Sequence, residues 1–211
     1  MRDWVEWHAE YDDPESHLRR RLDRVCFHLG QAIDSAPAGP VQLLSLCAGQ
    51  GRDVIGVLPG HRRRADVTAV LVESDISNAG QARSRAAEAG LSRLEVRQAD
   101  ASLAGSFADV LPADVLLLCG IFGNISDSDI QRTVAAAPAM CSAGASVIWT
   151  RHRRSPDLTP RIRAWFAASG FNEVAFDALD TATLTGVGVH RLRHPSATPV
   201  PAEPLFTFRA S

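Results

Sequence analysis

The chain lacks the features that would mark a membrane, metal-binding or nucleic-acid-binding protein. Its longest apolar run, 115–121, falls well short of the roughly 20 residues that span a bilayer, and its opening, Met-Arg-Asp-Trp, holds no apolar signal core. A cytoplasmic protein with no membrane partner is expected. The four cysteines, Cys26, Cys47, Cys119 and Cys141, form no CxxC pair and no Cys/His cluster of metal-ligand spacing, so no metal is expected and the thiols read as reduced. The net charge is only -2, and arginines alternate with Asp and Glu except at 19–21, 62–64 and 151–154. Bulk electrostatics therefore give no reason to expect nucleic acid, and each arginine run reads as a solvated helix end or loop. Internal repeats are absent, and 211 residues suit one domain with a filled core.

What is present is organised around 41–53, VQLLSLCAGQGRD. Val41, Leu43, Leu44 and Leu46 read as a strand buried on both faces. The strand stops at Cys47-Ala48-Gly49-Gln50-Gly51, and after Arg52 and Asp53 the apolar pattern resumes with Val54, Ile55, Val57 and Leu58 as a helix. A strand, a glycine turn and a helix N-terminus together expose backbone N–H groups at one point, where two glycines let a ligand come close. The next apolar run, 67–72, ends in Glu73, an acid about 20 residues beyond the turn, where such folds hold ribose hydroxyls.

Downstream, strands and helices alternate: a helix from 78 to 89, a strand at 94–97, a strand at 115–119 and a helix from 128 to 140. A strand at 146–150 and a helix from 159 to 168 follow. This pattern predicts an α/β, doubly wound, mostly parallel sheet with helices on both faces. After Gly170 two strands, 173–176 and 186–191, have no helix between them and should pair antiparallel as a hairpin closing one sheet edge. The proline-rich 195–204 reads as an extended linker to a last short strand at 205–208. Upstream, a helix from Pro14 through Leu18, Leu22, Val25, Leu29 and Ile33 carries an apolar stripe. Segment 1–13 concentrates Trp4, Trp7, His8 and Tyr11, aromatics suited either to a lid over a pocket or to a docked helix. The expected organisation is an N-terminal helical cap, 1–36, on a domain at 37–211.

These motifs, in this order, resemble class I S-adenosylmethionine-dependent methyltransferases, whose sheet has seven strands with an antiparallel last one. The opening at 4–14 is similar to that of actinobacterial methyltransferases beginning WxxWHxxYDDP. The family's first motif is matched by LLSLCAGQGRD, with Cys47, Gly49 and Gly51 at the three glycine positions and Ala48 between them. VLVESDISNAGQAR matches the second, which implies Glu73 on the ribose with Ser74 beside it. VRQADA matches the third, implying Asp100 and Ala101 against the adenine, and ADVLLLCGIFGNISD the fourth, implying Cys119, Gly120 and Ile121 along the methionine side. Two positions depart. Ser45 stands where the family has an acid, which leaves the turn's carbonyls or Asp53 to hold the ammonium, and Cys47 replaces the first glycine, which suits a negative φ. A nicotinamide-binding Rossmann fold shares the glycine turn and the acid, but it expects a small residue where this chain has Val54.

The resemblance implies S-adenosylmethionine as cofactor, S-adenosylhomocysteine as product, and transfer to a small-molecule acceptor, at oxygen (hydroxyl or carboxylate) before nitrogen. No appended RNA- or peptide-binding module is expected, and the chain is read as a monomer or homodimer. A different reading is a methyltransferase-like binding or scaffold protein. Ligands in such sheets sit outside the carboxyl ends of the strands. There His152, after the fifth strand, is the first candidate base, with His8 and Tyr11 next, while His190 within a strand reads as packed. Trp4, Trp7, Asn124 and Arg151 are candidate acceptor contacts, with Asn124 alternatively capping the following helix. The arginines beside His152 point toward an anionic acceptor.

Overall fold

All six residues of the first strand, β1 (Val41–Leu46), pair with one neighbour and three of them, Leu43, Leu44 and Ser45, with another on the opposite side, and the rest of the molecule is built outward from them. The computed structural model describes residue 13, residues 16–179 and residues 184–209. Along the chain run α1 (His17–Ser35), β1, α2 (Arg52–Val57), β2 (Val67–Glu73), α3 (Ile76–Glu88), β3 (Leu94–Gln98), β4 (Ala113–Leu118), α4 (Asp127–Met140), β5 (Cys141–His152), α5 (Thr159–Ala168), β6 (Phe171–Leu179) and β7 (Thr185–Leu192). They form one seven-stranded sheet of order β3-β2-β1-β4-β5-β7-β6. β7 runs antiparallel to both β5 and β6, between which it is inserted.

The period of two explains why the central strands read as unbroken apolar runs. Leu44, Leu46, Val70, Val72, Leu116 and Leu118 face one layer with Ile130, Val134, Ile162 and Phe166 of α4 and α5. The alternate residues, Val41, Leu43, Ala69, Leu71, Val115 and Leu117, face the other layer with Val25, Leu29 and Ile33 of α1 and with α2 and α3. These side chains of the central strands are thus buried on one face or the other, as in parallel sheets covered by helices on both sides. Fully burying a residue such as Leu44 contributes about 2 kcal/mol.

Helix ends are set locally. The hydroxyl of Ser16 accepts from the Arg19 N–H to start α1, the Asp75 carboxylate accepts from the Asn78 N–H to start α3, and Ser126 caps α4 through the Asp129 N–H. The cap of α4 is therefore Ser126, not Asn124.

Arginines expected to be solvated are partly structural. Arg63 donates to the carbonyls of Ile33, Ala36, Pro37 and Gly39 at 2.7–2.9 Å and also pairs with Asp66, so it ties off the end of α1. Arg151 is buried. The expected last strand at 205–208 is instead an extended strap with one isolated bridge, Ile125 to Phe208. Its Leu205 N–H donates to Ser102 O and its Arg209 N–H to Asn124 O, so it lies across the loops that follow β3 and β4.

Candidate active site

The turn after β1 is bound to the end of β2 by two contacts. The Ala48 N–H donates to the Val72 carbonyl at 3.0 Å, and the Gly49 N–H donates to Glu73 Oε2 at 2.7 Å. The other oxygen of Glu73 accepts from the Asp75 N–H at 2.8 Å. A carboxylate has about four acceptor positions, so Glu73 can take a ligand's hydroxyls while keeping both backbone bonds. Burial raises its pKa, and the two N–H groups work against that rise. Ser74 next to it is exposed.

The glycines act differently from the sequence reading. A Cβ on Gly51 would lie 2.6 Å from Leu71 and 2.9 Å from Ile55, at a φ of +65°, so Gly51 lets the turn pack on β2 rather than on a ligand. Gly49 has a φ of +57°. Cys47, which would fit the first glycine position freely only with a negative φ, has a φ of +54°. A side chain in the left-handed region costs about 1 kcal/mol, and the bonds from Ala48 and Gly49 to β2 hold it there. The Cys47 thiol is pushed up by burial and then by the charges of Glu73 and Asp100.

Ser45, in place of the expected strand-one acid, is buried between Leu71 and Leu117 of the neighbouring strands. Asp53 lies one turn further on, its Oδ1 accepting from the Val54 N–H at 2.8 Å. Burial raises the Asp53 carboxyl, and its charge in turn raises the Cys119 thiol just beyond β4, while Arg21 acts on both in the opposite sense. Asp53 is thus a half-buried carboxylate in the first turn of α2, immediately after the turn that follows β1.

On the β3 side, Asp100 is exposed, with its Oδ1 accepting from the Ser102 N–H at 2.8 Å, whereas Ala101 is buried in the core. Ile121, expected along the cofactor, is fully buried in the core beside Phe122 and Ile125, so its side chain is not at the surface of the crevice. Gly120 donates its N–H to Thr150 Oγ1 at 2.9 Å, which fastens the loop after β4 to β5. Asn124 serves this loop too, donating from Nδ2 to Gly120 O at 2.7 Å.

His152 is the last residue of β5 rather than a loop residue. Its Nδ1 is buried without a partner, and its pKa is lowered by burial and then by the charges of Arg151 and Arg154. The imidazole is accordingly neutral near pH 7 and able to accept a proton. His190 is packed, as its strand position implied. The Trp149 Nε1–H donates to its Nδ1 at 3.1 Å, Phe166 stacks on it, and burial lowers its pKa to about 4. Gly188 makes room for that indole, since a Cβ there would lie 2.2 Å from Trp149. Trp4, Trp7, His8 and Tyr11 lie outside the described residues. Among the described residues no group of His, Cys, Asp or Glu converges as a metal site, and no helix is long and apolar enough to cross a membrane.

Neither a protein-family model nor a curated protein matches the chain. Among solved structures, it is similar to an O-methyltransferase family protein from Burkholderia thailandensis at 16% identity and a TM-score of 0.65, over 84% of this chain. It spans only 57% of the length of that protein. A magnesium protoporphyrin IX methyltransferase from Synechocystis PCC 6803 with bound S-adenosylmethionine aligns over 90% of each chain at 12% identity and a TM-score of 0.67. An RNA methyltransferase from Salinibacter ruber in complex with S-adenosylhomocysteine aligns over 87% of this chain and 96% of its own at 22% identity and a TM-score of 0.54. Insertion of an antiparallel β7 between β5 and β6 also separates this sheet from the six-stranded dinucleotide-binding order 3-2-1-4-5-6. The chain has the fold of the class I S-adenosylmethionine-dependent methyltransferases.

Proposed function

We propose that this protein is an S-adenosylmethionine-dependent methyltransferase acting at an oxygen of a small-molecule acceptor. The observation that carries the reading is the Glu73 carboxylate, buried at the end of β2 and bonded to the Gly49 N–H of the turn after β1. It stands where a ribose would be gripped. The residues present fit the cofactor: Glu73 for the ribose, the exposed Asp100 for the adenine side, and Asp53 as counter-charge to the ammonium in place of the acid missing at Ser45. When bound, S-adenosylmethionine supplies a methyl group on a sulfonium, whose carbon–sulfur bond breaks as the acceptor's oxygen–carbon bond forms.

The protein's own part is alignment and exclusion of water. Holding two reactants in attack geometry supplies roughly 7 to 11 kcal/mol. His152 takes the proton of a hydroxyl acceptor at the mouth of β5, kept neutral by burial and by its arginine neighbours. A carboxylate acceptor would need no base.

The test has two parts. Thermal stabilisation by S-adenosylhomocysteine but not by NAD is expected, and transfer of a labelled methyl group into small molecules of a cell extract should follow. Binding without transfer would leave a cofactor-binding scaffold; stabilisation by NAD alone would reject the reading.

A further inference from the structure

Arg151 is only 6% exposed, yet among the described residues no carboxylate lies within ion-pair distance of it. Two other arginines drawn into this fold, Arg63 and Arg97, are fully engaged. Arg63 has four carbonyls and Asp66, and Arg97 is held between Glu95 and Asp109 at 2.6–3.1 Å. Arg151 donates through Nη1 to the Phe122 carbonyl, while its Nε is buried without a partner. The next two residues repeat the pattern, with His152 Nδ1 and Arg153 Nε also buried and unpartnered. At the far end of β7, opposite Ser146, the Arg191 Nε and the neighbouring His190 Nε2 are also buried without a hydrogen-bond partner, but there His190 has the carboxylate of Glu173 at 3.6 Å, and Arg151 has none within ion-pair distance.

The two aspartates near this corner, Asp127 and Asp157, act on Arg151 through their charge but are shared with other groups and do not pair with it. Asp127 lies 3.6 Å from Arg161 and 3.7 Å from Arg209, and Asp157 Oδ1 accepts from both the N–H and the hydroxyl of Thr159 at 2.8–2.9 Å. Arg151, Arg153, Arg154, Arg161 and Arg209 thus outnumber the aspartates around the mouth of β5. A guanidinium does not lose its proton in a protein, so the corner stays cationic at any working pH. A buried charge without a partner costs several kcal/mol, and such a cost persists in a fold where something else supplies the missing charge.

We propose that the carboxyl end of β5 is the seat of an oxyanion, a carboxylate or phosphate borne by the methyl acceptor, held by the Nε/Nη2 edge of Arg151 with Arg153 beside it. With Nη1 spent on Phe122, the edge left is the one that meets two oxygens side-on. This placement deepens the methyltransferase reading and rests on it, because it brings the anchored acceptor next to His152.

The experiment uses the full chain saturated with S-adenosylhomocysteine, whose own binding is measured first by calorimetry. Failure of that step would sink the methyltransferase reading and not the anion site. Benzoate, phenyl phosphate and the uncharged benzyl alcohol are then titrated while the arginine Nε–H resonances are followed by NMR. At least one anion should bind ten-fold or more tighter than benzyl alcohol and move the Arg151 and Arg153 signals, the tighter of the two naming the oxyanion. Arg151→Gln should weaken that anion ten-fold or more and leave S-adenosylhomocysteine affinity within two-fold. Should Arg151→Gln fail to fold, Arg153→Gln and the wild-type spectra carry the test, with a smaller loss expected. Equal binding of all three probes, or anion binding unchanged in both variants, would overturn the proposal.

Discussion

The two ends of the crevice are built on opposite principles. At the β1–β2 end the buried carboxylate of Glu73 accepts from two backbone N–H groups, and the strained Cys47 is held by neighbours bonded to β2. At the β5 end Arg151, His152 and Arg153 each keep a buried nitrogen without a partner. The first region is complete as folded and needs only to offer spare lone pairs. The second is incomplete as folded, and incompleteness in a buried polar site points to a ligand rather than to stability. The Trp149–His190 pair differs in kind: the His190 Nδ1 accepts from the indole of β5, and its Nε2 has the carboxylate of Glu173 at 3.6 Å.

Breaking either end should therefore have different consequences. The largest effect is expected for His152→Ala, which should lower turnover by about 10² to 10⁴ while changing S-adenosylhomocysteine affinity less than two-fold; equal loss of both would reject its role. Because burial and the flanking arginines lower its pKa below 6.5, wild-type turnover should hold below pH 6.5 and fall only on further acidification, once the imidazole gains a proton. Gly51→Val should destabilise the fold by roughly 3 to 5 kcal/mol, since a Cβ there meets Leu71 at 2.6 Å and the backbone is left-handed; denaturant unfolding measures it. Glu73→Ala should weaken S-adenosylhomocysteine by on the order of 100-fold and also lower stability, because the Gly49 and Asp75 N–H groups lose their acceptor. The smallest effect sharpens the contrast most: Arg151→Met should raise stability by about 1 to 2 kcal/mol by removing an unpaired buried charge, while impairing methyl transfer. Destabilisation of the same size would show that the β5 end is structural after all.

Much of the fold was legible in the chain. Strands buried on two faces read as continuous apolar runs, and their alternation with helices implies a parallel sheet, so β1 to β4 fall close to their expected places, while β5 begins at Cys141, ahead of the expected 146. Glu73 was legible as well, because the acid follows the glycine turn at a spacing set by the length of one helical crossover. Three things were not. The role of Gly51 depends on Leu71, a residue of another strand. Ile121 lies within a motif but points into the core, since motif membership does not say which way a side chain faces. The three arginine runs look alike in composition, yet Arg63 is buried against carbonyls at the end of α1 and Arg151 against Phe122, and only the partners brought by folding distinguish them.

By itself the sequence determined the layered α/β architecture, the turn after β1 and the carboxylate that faces it, because these follow from periodicity and from neighbours within one crossover. Tertiary structure alone decided the left-handed backbone at Cys47, the strap of 205–209 across the loops after β3 and β4, and the burial of Arg151 without an ion-pair partner among the described residues. These depend on contacts between segments far apart along the chain. Local pattern can state that a residue is charged, but only the assembled neighbours state whether that charge has been answered.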